Sequence, residues 1–366
     1  MSRALLVSAS ARPGGAERGF LALARRLPEH GWETTAVVLE DGPLREWLGA
    51  DGILLTAGRT RQLHRTARTI RALARLARDA DAVVSSLSKT HVYGGAAAAL
   101  ARVPAVWWQR DTAHGTRVER AAARVPAAAV VCSSGPAADA QRRLTPRRRV
   151  EVIPPGVDLA VVERRDGDAA ALRAHLGWEG LPVVGIVGRL QPWKGQEAFL
   201  HAAAAVAAQE PSARFVLVGG AILGWEGDYP ERLRRLAAEL GLAERVHFTG
   251  HVEDALPWYS LLDVLVHASE TEPFGRVLVE ALALGIPVVS VDEGAPTEIV
   301  EDGVSGLLVE RRPEALAGGV VRVLRDRALA GRLAAAGPER ARRFDASRTA
   351  AGFATLLDSL AGRAER

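Results

Sequence analysis

The sequence predicts an α/β protein built from two doubly wound, parallel-sheet halves. Length points to two domains, since 366 residues correspond to about 2.4 units of ~150 residues. Apolar residues make up 48% and charged residues 25%, a globular balance that excludes a disordered chain and supplies two cores. Short β-rich runs also alternate with Ala/Leu/Arg stretches at helical spacing, which is the βαβ rhythm of a parallel sheet.

In the first half, strands are expected at Ala4–Ser8, Thr35–Leu39, Ala82–Ser86, Ala105–Trp108 and Ala128–Cys132, with helical stretches such as Arg18–Leu27 and Thr66–Arg78 between them. The rhythm pauses from Val161 to Gly180, a charged, Gly-containing stretch that reads as a polar linker. It restarts with PVVGIVG, ARFVLVGG, RVHFTG, DVLVHAS and IPVVSV, each followed by a helical pattern. The expected domains are therefore 1–160 and 161–344. No apolar run reaches ~18 residues, so no spanning helix is expected. The opening MSRALLVSAS leads into a strand with no signal-peptide pattern. The single Cys132 excludes a disulfide framework and a Cys-based zinc site, and fits a reducing cytoplasm.

The basic residues are unevenly divided. Of 47, only Lys89 and Lys194 are lysine, and asparagine is absent. GC-rich coding accounts for this; avoidance of thermolabile residues is the other reading. Either way, each lysine stands out. A net charge of +4 is a mild pull toward phosphate-bearing partners.

Ligands of open α/β sheets bind beyond the carboxyl ends of the strands, so the strand–loop–helix junctions are the places to search. In SASARPGGAERGF (8–20), Gly14-Gly15 precede a helical pattern, and paired glycines at a helix N-terminus let amides approach an anion; a tight turn needs glycine too. In VVGIVGRLQPWKGQEAF (183–199), a buried strand ends at Gly188, and Arg189 and Lys194 flank a short loop before a helix. Two cations there suit a diphosphate, against the alternative of a solvated loop. In HASETEPFGRVLVEALALG (267–285), Glu272 and Glu280 are eight residues apart. On one helix they would lie ~12 Å apart along the axis, too far for a glycosidase acid–nucleophile pair. They suit hydroxyls at opposite ends of an elongated ligand.

Together these residues resemble a family. GGAE (14–17), VIPPGVD (152–158), GRLQPWKG (188–195), VHFTGHV (246–252), the E-x(7)-E of Glu272 and Glu280, and GAPTEIVEDGVSGLLV (294–309) look like glycosyltransferase family 4, whose members are retaining enzymes of the GT-B fold that use nucleotide sugars. The resemblance implies a GT-B architecture of two Rossmann-like domains: an acceptor half, to which about 345–366 return, and a donor half. It further implies that Arg189 and Lys194 neutralise the donor diphosphate beside Gly188. Glu272 would bind sugar hydroxyls with the Phe274 and Gly275 backbone, Glu280 the ribose, Val252 the base, and Gly15 the phosphates. The expected activity is transfer of a hexose from a UDP or GDP sugar to a hydroxyl acceptor that is a small molecule, glycan or lipid. No metal and no cofactor are expected.

Two departures stand out. The usual IPNGVD reads IPPGVD, with Pro155 replacing Asn, for which a structural consequence at most is expected. In PAVWWQRDTAHG (104–115), where many members carry a histidine near the reacting centre, Trp108, Gln109, Arg110 and Asp111 stand instead, and His114 follows later. Arg110, the candidate catalytic residue, or Asp111 would take over the contact, or the acceptor would need a different group; a local Arg110–Asp111 ion pair is the alternative. Glu17, Lys89, His91 and Asp111 are candidate acceptor contacts, with core packing or plain exposure the alternative for Lys89 and His91.

A nucleotide-sugar epimerase, or a non-catalytic binder of nucleotide sugars, would need the same donor site. Asp79–Asp81 and Asp166–Asp168 match the Asp-x-Asp of metal-dependent glycosyltransferases, but the first opens a strand and the second falls in the linker. The run Arg59–Arg78 carries seven arginines and no acid, either a solvated helix or a face for anionic lipid on the inner membrane. Nucleic acid is not expected, because aromatics do not interleave with it. The Arg/Ala-rich composition fits an actinobacterial-type bacterial genome.

Overall fold

The computed structural model describes residues 1–8, 14–49, 52–55, 63–221 and 226–362. The chain forms two compact units: Met1–Asp158 with Phe344–Arg366, and Leu159–Arg343. Strands β1 (Ser2–Ser8), β2 (Trp32–Val38), β3 (Gly52–Leu54), β4 (Ala82–Ser86), β5 (Ala105–Gln109), β6 (Ala129–Cys132) and β7 (Val150–Val152) make the first sheet, in the order β3-β2-β1-β4-β5-β6-β7. Strands β8 (Val183–Val187), β9 (Arg214–Val218), β10 (Val246–Phe248), β11 (Val264–His267), β12 (Val288–Val291) and β13 (Leu307–Val309) make the second, in the order β10-β9-β8-β11-β12-β13. The paired strands of both sheets run parallel. Chain order reverses beside the first strand of each, between β1 and β4 and between β8 and β11. Those switch points are where a doubly wound sheet opens to a ligand.

The central strands are apolar along their length, β4 and β5 being buried at every residue, as strands covered by helices on both faces must be. In the first unit Leu6, Phe20, Val84, Trp108 and Val131 share a core with Phe353 of the helix Ala346–Leu360. Phe353 meets Trp108 edge-on at 4.9 Å, and the Trp32 indole donates to Asp358 at 3.0 Å. The motif IPPGVD receives this returning helix. Val157 N–H donates to Phe344 O, and Ala346 N–H to Val157 O, both at 2.9 Å. A Cβ on Gly156 would lie 2.3 Å from Ala346 Cα, so only glycine allows this approach. The motif therefore has a structural job here.

Four elements depart from expectation. Strands β3, β7 and β13 are three-residue edge strands, too short for a period of two to show. The stretch 161–180, expected as a linker, contains the helix Asp166–Leu176, in which only Ala169 is buried. Polar contacts hold it: Arg173 donates to Leu181 O at 2.7 Å, and Arg165 N–H to Ser260 Oγ at 2.8 Å. A helix without an apolar stripe gives no periodic signal. Its Asp166 and Asp168 sit in the first turn, where they complement the helix dipole.

The helix Leu63–Ala77 buries Thr69, Leu73, Ala74 and Ala77 and exposes Arg65, Arg68, Arg71 and Arg75; Arg78, just beyond it, is also exposed. Arg59 and Arg61 lie outside the described residues. Among the described residues, no helix is long and apolar enough to cross a membrane.

Candidate active site

The second unit's switch point gathers the charged motif residues. Strand β8 runs into Gly188 and Arg189, and a short 3-10 turn, Pro192–Lys194, leads to Gly195 and the helix Gln196–Gln209. Gly195 has φ +78°, and a Cβ there would lie 2.1 Å from Ala268 O. Glycine is thus required both for the turn and for packing backbone against the exit of β11. Glu270 N–H donates to Trp193 O at 2.8 Å and joins the two loops. This contact brings Lys194 to Glu272, with Nζ 2.6 Å from Oε2. The Lys194 ammonium also lies 4.2 Å from the Trp193 ring centre.

Glu272 is buried. Burial by itself would raise its carboxyl pKa. The Lys194 ammonium, and a hydrogen bond and charge from His267, outweigh that and hold it well below the usual carboxylate range. It is therefore a fixed anion and an acceptor only. Arg189 is partly exposed, and among the described residues its guanidinium has no hydrogen-bond or ion-pair partner. Its carbonyl is held by Gln196 Nε2 at 2.8 Å. One unpaired cation, one shared cation and a helix N-terminus form a ready site for a polyanion.

Gly275 caps the helix Arg276–Ala283, and Glu280 lies on it. The Tyr259 hydroxyl donates to Glu280 Oε2 at 2.9 Å, and Arg276 Nη2 to Oε1 at 3.2 Å. Glu272 precedes this helix, so the helical spacing expected between the two glutamates does not apply: they sit on a loop and a helix. Phe274 is buried, and Val252 is partly exposed in the loop after β10.

The first unit treats its candidates differently. Gly15 is exposed as the first residue of the helix Gly15–Arg26, while 9–13 of its loop lie outside the described residues. The Arg110 guanidinium is buried, 4.1 Å from the Trp108 ring centre, and donates to Gly15 O at 3.2 Å and Ala16 O at 3.1 Å. It braces a helix start instead of facing out as a free cation. Glu17 is buried in that first turn. Lys89 is exposed and paired with Glu40 at 2.5 Å; Asp111 is exposed.

His91 is a correction. Fully buried, it stacks on Trp107 at 5.2 Å with the rings 3° from parallel. Burial, helped by the charge of Arg148 and opposed by the Val125 backbone, lowers its pKa to about 4. It is a neutral core side chain and does not present a face to an acceptor. Asp81 of the first Asp-x-Asp accepts the Arg3 N–H at 2.8 Å, a structural use.

Comparison with known proteins places this geometry. The model described as Glycosyl transferases group 1 matches residues 168–340, and that described as Glycosyltransferase Family 4 matches residues 13–161. The crystal structure of Anabaena HepE in complex with UDP is 30% identical, with a TM-score of 0.84 over 98% of this chain and 100% of that one. The chain belongs to glycosyltransferase family 4. The HepE complex with UDP and glucose gives a TM-score of 0.86 at 28% identity, over the same shares of both chains. The D-inositol 3-phosphate glycosyltransferase of Acidothermus cellulolyticus is 38% identical over 226 residues, 59% of this chain and 49% of that protein. The enzyme of that name from Nocardia farcinica is 42% identical over 167 residues, 44% of this chain and 37% of that protein. The chain thus matches about half or less of the length of these curated relatives.

Within this family-4 chain, the structure adds residues that sequence reasoning passed over: His267, Ser290, Tyr259 and Gln196. His267 is the last and Ser290 the next-to-last residue of otherwise apolar strands, in DVLVHAS and IPVVSV. A polar residue at the carboxyl end of a buried strand was the available signal.

Proposed function

We propose that the protein transfers a hexose from a nucleoside diphosphate sugar to a hydroxyl acceptor, with retention at the anomeric carbon and without a metal. The convergence of Arg189, Lys194 and Glu272 at the β8–β11 switch point carries this reading. Departure of the nucleoside diphosphate builds negative charge, which Arg189, Lys194 and the helix N-terminus at Gln196 stabilise electrostatically. Glu272 takes sugar hydroxyls, Glu280 the ribose hydroxyls, and the loop at Val252 the base. The leaving phosphate oxygen accepts the acceptor hydroxyl's proton on the face where the new bond forms. UDP-glucose is the first donor to test, because HepE was crystallised with it, and inositol phosphate is the first acceptor class, from the curated relatives' names.

The decisive experiment incubates the protein with UDP-glucose or GDP-mannose and a panel of hydroxyl acceptors, with and without EDTA, and reads the product's anomeric configuration by NMR. Retained configuration and EDTA-resistant turnover are expected. An inverted product, or loss of turnover in EDTA, overturns the respective part. Epimerised donor formed without acceptor would mark an epimerase, and binding without turnover a non-catalytic protein.

The exposed arginines 65, 68, 71, 75 and 78 make no ion pair among the described residues. They support peripheral contact with anionic lipid at the inner membrane face of a cytoplasmic protein. Co-sedimentation with anionic vesicles at physiological salt is expected, and none would remove this part of the proposal.

A further inference from the structure

We infer that His267 is a positioning residue: it pins one oxygen of Glu272 so that the other faces the donor sugar. This rests on the transferase reading above and assigns a part of the site that reading leaves open. His267 is the last residue of β11 and is buried. Its Nε2 lies 3.3 Å from Glu272 Oε2, and its Nδ1 lies 3.3 Å from Ser290 Oγ. The sheet sets that second contact, because His267 and Ser290 are register partners on β11 and β12. The ring is therefore oriented by backbone pairing and not by the loop it serves.

The hydrogen positions follow from the partners. Glu272 is a carboxylate and accepts only, so Nε2 must carry a hydrogen. In the neutral ring Nδ1 then accepts from the Ser290 hydroxyl. In the imidazolium both nitrogens donate and Ser290 turns to Val291 O, 3.4 Å away. Both arrangements aim Nε2–H at Glu272.

Glu272 Oε2 thus receives two donors, His267 and Lys194, whereas Oε1 accepts no hydrogen bond among the described residues. The two oxygens have different tasks. Oε2 is tied to the protein, and Oε1 is left for a ligand hydroxyl. Lys194 has a competing task, since an arriving diphosphate draws its ammonium toward the phosphates. His267 has none, because its other nitrogen is engaged with Ser290. It is the donor that keeps Oε2 in place once Lys194 is shared.

The test compares wild type, His267→Leu, His267→Gln, Glu272→Ala and the double variant His267→Leu/Glu272→Ala. UDP affinity is measured by titration and kcat/KM with the active sugar nucleotide. UDP lacks the donor hexose whose hydroxyls Glu272 would take, so its Kd should stay within about twofold in His267→Leu, while kcat/KM falls at least about tenfold, as for loss of one charge-assisted hydrogen bond. His267→Gln, whose amide can donate as Nε2 does, should recover most of it. In the double variant, His267→Leu should add nothing to the loss from Glu272→Ala. Equal weakening of UDP and sugar nucleotide, unchanged turnover, or a full additional loss in the double variant would overturn the inference. If the wild type transfers from no sugar nucleotide, the transferase reading fails instead. Histidine 1H–15N spectra then judge His267 separately: a hydrogen on Nε2 is expected, and a ring protonated on Nδ1 alone overturns the assignment.

Discussion

Beyond β8 and β11, the second unit holds an Arg189 whose guanidinium has no partner among the described residues, a Lys194 shared with Glu272, and a His267 locked by its neighbouring strand. Beyond β1, β4 and β5, the first unit has a comparable set of residue types: Arg110, Lys89, Glu17 and His91. There, however, the arginine braces helix carbonyls, the lysine pairs with Glu40 at the surface, and the histidine is stacked in the core. The two sheets share the same topological opening and similar charged residues. What separates them is whether a cation is left with charge to give. A switch point supplies the place for a ligand, and side-chain partnerships decide its chemistry.

That contrast can be broken by substitution. Lys194→Ala and Glu272→Ala should have the largest effect, each lowering kcat by about 100- to 1000-fold, the usual cost of removing a preorganised electrostatic group, with the far-UV spectrum unchanged. Near-normal turnover would erase the distinction between the units. His91 should act on stability alone. The unfolded chain takes up its proton near the ordinary histidine value of 6.5, while native His91 does so only near 4. Between those values the unfolded state binds more protons, so stability falls as pH drops through the window, by roughly 3 kcal/mol. His91→Phe should flatten that slope in urea titrations; an unchanged slope would return His91 to the surface.

Arg110→Ala should show the reverse of Lys194→Ala. Loss of a buried guanidinium bonded to two carbonyls should lower stability by about 2 kcal/mol, seen as a lower urea midpoint, with a smaller fractional loss in kcat than in Lys194→Ala. The opposite pattern would make Arg110 a catalytic group after all. Lys89→Ala should be the smallest, below ~1 kcal/mol, because an exposed ion pair is screened by water and salt.

How much of this could be read in advance depended on where each signal lay. The central strands and most of their helices were legible because buried runs such as VVGIV and helical apolar spacing repeat over several turns. Edge strands of three residues, and the helix Asp166–Leu176 held by arginine contacts, have no such periodicity. Arg189, Lys194, Glu272 and Glu280 stood out because loops that place charge at strand ends leave a compact pattern. Their supports did not. Ser290 reaches His267 through strand register, and Tyr259 reaches Glu280 from another helix, both across distances in sequence that a motif does not span. His91 misled for a related reason: a histidine one turn after a strand end looks the same in sequence whether its ring turns outward or onto Trp107.

The proposed nucleoside diphosphate site at the β8–β11 switch point takes as its cation Arg189, whose guanidinium has no partner among the described residues, and calorimetric titration of UDP and GDP into wild type, Arg189→Ala and Arg110→Ala tests this most directly. One of the two nucleotides should bind wild type and Arg110→Ala with similar Kd and bind Arg189→Ala at least about tenfold more weakly, as for loss of one charged hydrogen-bond donor. Equal affinity in Arg189→Ala, or a loss confined to Arg110→Ala, would contradict the account.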